Sequence, residues 1–177
     1  MSKKILVTDG LSADAQAILV DKYKIDLKKG LSADELKEVI GGYEAIIIRS
    51  ATKLTRDVLE AADRLEVIGR VGVGVDNVDL TAATKKGILV VNAPGSNSVS
   101  VAEHTIGLMM SLARKIPEAN ISTQSGKWEK SRFKGMEIEG KTLGVIGFGK
   151  IGFLVAKKAL GLGISLRPFL PFQYPAV

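Results

Sequence analysis

The sequence predicts an α/β protein: a doubly wound parallel sheet over residues 4–92, then the opening strand and helix of a second α/β domain. Three observations carry this. Short β-branched runs alternate with amphipathic helical segments, the pattern of a parallel sheet with helices on both faces. A serine-headed turn recurs between strand and helix. A glycine cluster stands at a strand-to-helix junction near residue 147.

The candidate strands of the first domain are Lys4 to Thr8, Tyr23 to Leu27, Ala45 to Arg49, Glu66 to Arg70 and Ile88 to Asn92. Helical patterns fill the gaps near residues 13–21, 32–40, 55–62 and 79–86. This succession fits a flavodoxin-like unit. Gly10-Leu11-Ser12-Ala13-Asp14 recurs as Gly30-Leu31-Ser32-Ala33-Asp34. Each serine is placed to N-cap a helix, because its hydroxyl accepts a backbone N–H that has no partner within the helix. Ser32 with Glu35 forms a capping-box pattern. The repeat reads as turn chemistry rather than as a functional motif.

A long helix is expected from Val99 to Lys115, with Ala102, Thr105, Ile106, Met109 and Leu112 as its apolar stripe and Pro117 as its end. A polar stretch follows through Glu139. Lys141 to Ile146 then reads as a strand and Lys150 to Leu160 as a helix. The domains are therefore taken as 1–97 and 98–177, with a divergent tail over 166–177. That tail holds Pro168, Pro171 and Pro175. Proline has no N–H to donate, so the tail reads as a poor strand.

Composition narrows the function. The 177 residues include no cysteine and one histidine, so disulfides and thiolate or multi-histidine zinc sites are excluded. No apolar run approaches the roughly 18 residues of a membrane span, and Ile5-Leu6-Val7 is too short for a signal segment. A cytoplasmic location is expected, with no membrane partner. The net charge is +6, but lysines and arginines are scattered, Lys127 to Lys134 is the only dense cluster, and no Asp or Glu follows Glu139. No nucleic-acid-binding motif accompanies the charge, so no nucleic-acid partner is expected.

Gly147-Phe148-Gly149-Lys150-Ile151-Gly152 follows a predicted strand and opens a predicted helix, the context that a dinucleotide turn requires. The first glycine permits the tight turn, the second lets a pyrophosphate approach the backbone, and the third lets helix and strand pack closely. This marks the first βα unit of a Rossmann domain. The acidic residue expected roughly 20 positions on, which would bind the ribose hydroxyls, is absent. Arg167 could suit a 2′-phosphate, but it sits directly before Pro168.

Topology supplies a second constellation. Open α/β sheets bind ligands at the carboxyl ends of their strands, which here are Asp9, Arg49, Arg70 and the turn after Asn92. Arg49 stands beside the switch point, and Arg70 leads into Val71-Gly72-Val73-Gly74. Two arginines and a glycine turn suit a carboxylate or phosphate. The single histidine, His104, lies within the long helix, where a structural role is the ordinary one.

Several of these segments together resemble the D-isomer-specific 2-hydroxyacid dehydrogenases, and within them the D-3-phosphoglycerate dehydrogenase branch. They are Ile48-Arg49-Ser50-Ala51-Thr52-Lys53-Leu54-Thr55, Gly69 to Asp79, Asn92 to Ser98, Val101 to Thr105, Gly126-Lys127-Trp128 and Gly140 to Gly144. The resemblance runs over about residues 4–165. It implies an NAD-dependent oxidation of 3-phosphoglycerate to 3-phosphohydroxypyruvate, the entry to serine synthesis, in a homo-oligomer. It assigns the substrate anion to Arg49, Arg70 and Asn97, with backbone help at Gly72 and Val73. It assigns the cofactor to Val73, Gly147, Gly149, Lys150, Ile151 and Gly152. Lys150 stands where relatives commonly carry arginine, and Val73 where some carry a threonine near the nicotinamide.

The resemblance also marks what is missing. Its acidic strand end falls on Leu170, and its downstream arginine, acid–base histidine and the carboxylate partner of that histidine have no counterpart; His104 matches a helical position. No catalytic residue and no metal site is assigned. The expectation is an incomplete, inactive dehydrogenase whose tail reflects truncation or a reading-frame change. The alternative is a non-catalytic anion-binding or oligomerisation module, associating through the long helix and the Lys127–Lys134 region.

Overall fold

In the computed structural model, residues 2–169 are described. They fall into two compact units, one running to Ser96 and one beginning at Asn97.

The first unit holds strands β1 (Lys4–Val7), β2 (Lys24–Leu27), β3 (Ala45–Ile48), β4 (Val67–Arg70) and β5 (Leu89–Asn92), with helices α1 (Ala13–Val20), α2 (Ala33–Ile40), α3 (Arg56–Glu60) and α4 (Leu80–Lys85). Every strand pairing is parallel and the order is β2-β1-β3-β4-β5. The chain winds outward in both directions from the β1/β3 boundary, which is the switch point of the doubly wound sheet.

Local chemistry sets the helix starts. Ser12 accepts the Ala15 N–H at 3.3 Å, Ser32 and Glu35 form a complete capping box, and Asp79 accepts the Ala82 N–H at 2.9 Å. Strand alternation sets the core. Leu6, Ile46, Ile48 and Ile68 point to one face and pack against Leu36 and Ile40 of α2, Val58 and Leu59 of α3, and Ala82 and Ala83 of α4. Each fully buried aliphatic side chain contributes on the order of 1.5–3 kcal/mol. At the opposite end of the strands from the switch-point crevice, the buried Glu44 carboxylate accepts the Lys4 N–H at 2.7 Å and pairs with Arg64.

Cover on the two sheet faces is unequal, contrary to the sequence expectation. α1 buries none of its residues, and a groove of about 300 Å³ lined by Ile5, Ala45, Ile47, Val67 and Gly69 runs along the second face. Apolar residues run all round α1, so the helix has no distinct face to press onto the sheet.

The second unit contains α5 (Ser98–Ala113), α6 (Ile116–Gln124), β6 (Thr142–Ile146), α7 (Lys150–Leu160) and β7 (Ser165–Phe169), with β6 and β7 parallel. α5 packs on α7, and Lys158 Nζ donates to Glu103 at 2.9 Å. Three expectations need correction here. α5 ends at Ala113, and Lys115 turns the chain in a left-handed conformation (φ 54°). Pro117 does not stop a helix; it sits in the first turn of α6, where its missing N–H costs nothing. The expected stripe is also narrower: Ala102 is buried, but Thr105 is exposed and Leu112 is 79% exposed, because α7 and α6 together cover less than a full apolar face.

A further correction is β7. Pro168 lies inside it, opposite Val145. The Ser165 N–H bonds to the Lys141 carbonyl at 2.8 Å. Alternate residues turn the same way in a strand, so Arg167 and Phe169 also face β6. Pro168 faces the open edge, where a missing donor is tolerated. The positions of Leu170, Pro171 and Pro175 lie outside the described residues. Among the described residues, no helix is long and apolar enough to cross a membrane.

Candidate anion site and glycine turn

In the first unit, the carboxyl ends of β1, β3, β4 and β5 are tied together by three short polar side chains. Asp9 follows β1. Its Oδ2 accepts the backbone N–H groups of Arg49 (2.6 Å) and Thr52 (3.1 Å), and its Oδ1 accepts the Thr52 hydroxyl at 2.6 Å. A hydroxyl has one proton, so the Thr8 hydroxyl, 2.7 Å from Thr52 Oγ1, is the donor in that contact. Asn77 approaches from the other side, its Nδ2 donating to the carbonyls of Arg49 (2.7 Å) and Thr52 (2.6 Å). Asn92, at the end of β5, donates to the Val73 carbonyl at 2.6 Å. Partial burial pushes the Asp9 carboxyl upward. The donors from Thr52, Arg49 and Ala51 outweigh that and hold it below the ordinary aspartate value.

This scaffold presents two arginines. Arg70 pairs with Ile48 across β3 and β4, so the Cα of Arg49 lies one residue beyond its neighbour. The Arg70 guanidinium folds over Gly72, and a Cβ at Gly72 would collide with it. Arg70 Nε is buried with no partner. Neither arginine enters a salt bridge among the described residues. Val73 is 38% exposed at the tip of the turn. A cleft of about 450 Å³ opens beside the same loop, lined by Ser50, Lys53, Arg56, Asp76 and Asn77 among others; neither arginine is in its wall.

In the second unit, each glycine of the turn can be tested by adding a Cβ. Gly147 has φ +88°, which favours glycine. At Gly152 a Cβ would run into the Gly147 carbonyl oxygen, so only glycine lets α7 seat against the turn. Gly149, the N-cap of α7, has nothing within 4 Å of such a Cβ. The space above it is open. The first intrahelical bond runs from the Phe153 N–H to the Gly149 carbonyl at 2.9 Å. The N–H groups of Lys150, Ile151 and Gly152 therefore have no partner inside the helix, and no side chain caps them. An open floor beside free donors at a helix N-terminus suits a pyrophosphate.

Residues 5–165 match the family described as D-isomer specific 2-hydroxyacid dehydrogenase, catalytic domain. The chain belongs to this family. It is 52% identical over 169 residues to a D-3-phosphoglycerate dehydrogenase of Methanocaldococcus jannaschii, covering 96% of this chain and 32% of that protein. It is 47% identical over 176 residues to the human D-3-phosphoglycerate dehydrogenase, covering 99% of this chain and 33% of that one. The chain thus spans about a third of the length of these relatives. A Thermus thermophilus protein of known structure matches with a TM-score of 0.87 at 31% identity, over 97% of this chain and 58% of its own. The NAD+-bound 3-phosphoglycerate dehydrogenase of Entamoeba histolytica matches with a TM-score of 0.78 at 28% identity, over 99% and 56%.

In this member of the 2-hydroxyacid dehydrogenase family, Asn97 is the N-cap residue of α5 but makes no side-chain cap bond, and it is exposed. His104 is exposed on the same helix. Thr52 and Asn77 carried no assignment from sequence. The signal was present for Asn77, a turn-forming amide soon after the glycine turn, but its two acceptors lie 25 and 28 residues away.

Proposed function

We propose that this chain provides the substrate-anion receptor and the opening βα unit of the cofactor domain of an NAD-dependent D-3-phosphoglycerate dehydrogenase, and that these 177 residues alone do not turn over. The observation that carries the reading is the pair Arg49 and Arg70. Among the described residues they enter no salt bridge, and they leave the carboxyl ends of adjacent strands beside the switch point. Arg49, Arg70 and Asn97 hold the carboxylate or phosphate of 3-phosphoglycerate, helped by the backbone N–H of Val73; contrary to the sequence expectation, the Gly72 N–H is taken by the Arg70 carbonyl at 2.9 Å.

The glycine turn holds the cofactor pyrophosphate. Gly147 makes the bend, Gly149 leaves the floor open, Gly152 seats the helix, and the N–H groups of Lys150 and Ile151 meet the phosphates. NAD, when bound, supplies the hydride acceptor. Val73 borders the nicotinamide. Binding is weak, because the acid that would hold the ribose is replaced by Leu170. Oxidation of an alcohol also needs a base for its hydroxyl proton. The one histidine is His104, exposed on α5, and no described residue at the arginine pair replaces a base.

A second reading has its own support. Leu108, Leu112 and Trp128 are exposed, Trp128 by 83%, and exposed apolar surface tends to associate. The chain is therefore a homo-oligomer through α5 and the Lys127–Lys134 region, whether or not it binds the anion. It is placed in the cytoplasm, where this chemistry serves serine synthesis. The test is calorimetry of 3-phosphoglycerate against the wild type and the double variant Arg49→Ala with Arg70→Ala: the wild type binds at roughly millimolar affinity and the variant does not. Equal affinity in both retires the reading.

A further inference from the structure

We infer that Asp9 is a positioning residue for the anion site: its carboxylate fixes the backbone from which Arg49 projects. This rests on the anion reading above.

β1 and β3 are neighbours at the switch point, and Asp9 and Arg49 lie just beyond their carboxyl ends. The segment 49–52 is neither helix nor strand. Left alone, such a bend samples many conformations. Here it wraps around one carboxylate, giving it the N–H groups of Arg49 and Thr52 and the Thr52 hydroxyl. Asn77 takes the carbonyls of the same two end residues. Arg49 and Thr52 are thus held at both N–H and C=O.

Placing a carboxylate beside an anion-binding arginine ordinarily quenches the arginine by ion pairing. The geometry avoids this. Asp9 touches the Arg49 backbone, and no Asp9–Arg49 salt bridge forms. Its acceptor capacity is taken up by loop donors, which leaves the guanidinium, on an exposed residue, free for a ligand. A merely structural role for Asp9 would not require this separation of backbone from head group.

The test uses the full 177-residue chain and 3-phosphoglycerate, followed by amide NMR. An N–H bonded to a carboxylate resonates well downfield, so the Arg49 amide reports the clamp with no ligand present. In Asp9→Ala that resonance moves upfield, amides of α2 and α3 stay in place, and affinity falls about tenfold, the effect of losing about 1.4 kcal/mol. In Asp9→Asn, whose amide oxygen still accepts an N–H, most of the affinity returns, to within about threefold of wild type. If Asp9→Ala does not fold, Thr52→Val removes one donor at constant shape and gives about a threefold loss.

An Arg49 amide that does not move in Asp9→Ala overturns the clamp, even if the wild type binds no ligand. Absence of binding by the wild type, with the Arg49 amide shifted as expected, fails the anion reading and removes the functional half of the inference. Equal affinity of wild type and Asp9→Ala overturns the positioning role. So does an equal loss in Asp9→Ala and Asp9→Asn accompanied by shifts throughout the core.

Discussion

Asn77 holds the Arg49 carbonyl at 2.7 Å while its own Oδ1 is buried without a partner. One amide therefore ties the loop after β3 to the segment after β4. In Asn77→Ala the carbonyls of Arg49 and Thr52 both lose their donor. The expected destabilisation is about 1–3 kcal/mol, read from the denaturant midpoint. An unchanged midpoint would show that water replaces the amide at no cost.

Gly149 and Gly152 should separate ligand space from packing space. Gly152→Ala drives a Cβ into the Gly147 carbonyl, and overpacking of this kind costs about 1–3 kcal/mol. Gly149→Ala meets nothing within 4 Å. The second variant should melt like wild type but lose whatever NAD affinity the chain has, measured by calorimetry. Equal stability of the two variants would contradict the assignment.

Acid stability should carry an Asp9 contribution. Burial raises this carboxyl, but the loop donors prevail and its folded value is depressed. Its contribution is therefore complete above the unfolded aspartate value of about 3.9 and is lost as pH falls through the lower folded value. Asp9→Asn should flatten the stability profile below about pH 4. The opposite sign holds at Tyr43. Burial, then the hydrogen bond and charge of Asp26 at 3.0 Å, push it up to about 12. That contribution is complete below the unfolded value of about 10 and fades as pH rises through about 12. Tyr43→Phe should remove the phenolate absorbance step that appears there.

Trp128 is the only tryptophan and is 83% exposed, so its emission reports association directly. The proposal of a homo-oligomer predicts a blue shift with rising concentration and a dimer or larger species in sedimentation. A clean monomer at high concentration with unchanged emission would refute it.

Much of the first unit was legible because its signals are local. Ser12, Ser32 and Glu35 cap helices through residues three positions away, and Ile46 and Ile48 face one side by strand alternation. The glycine turn was legible for the same reason: each glycine has its own steric task. The clamp was less so. Asp9 and Asn92 stood at strand ends without a role, and Asp9 meets its loop across about forty residues. Pro168 and Pro117 were misread because a proline is judged by whether its N–H is needed. That depends on which edge of β7 is open and on where α6 begins. Neither can be read from the sequence near the proline.

Turnover should be absent in the isolated chain. NAD and 3-phosphoglycerate mixed with it should give no NADH absorbance, since on the proposed reading no described residue at the arginine pair serves as the base. A rate that Gly149→Asp abolishes would prove the 177 residues sufficient.

The anion receptor itself is tested most directly by titrating 3-phosphoglycerate into the labelled chain and following backbone amides. Two charged hydrogen bonds of about 1.5–3 kcal/mol each give roughly millimolar affinity. Shifts should centre on Arg49, Arg70 and Asn97 and vanish in Arg70→Ala. No shifts at about ten millimolar ligand, some ten times the expected dissociation constant, would contradict the account.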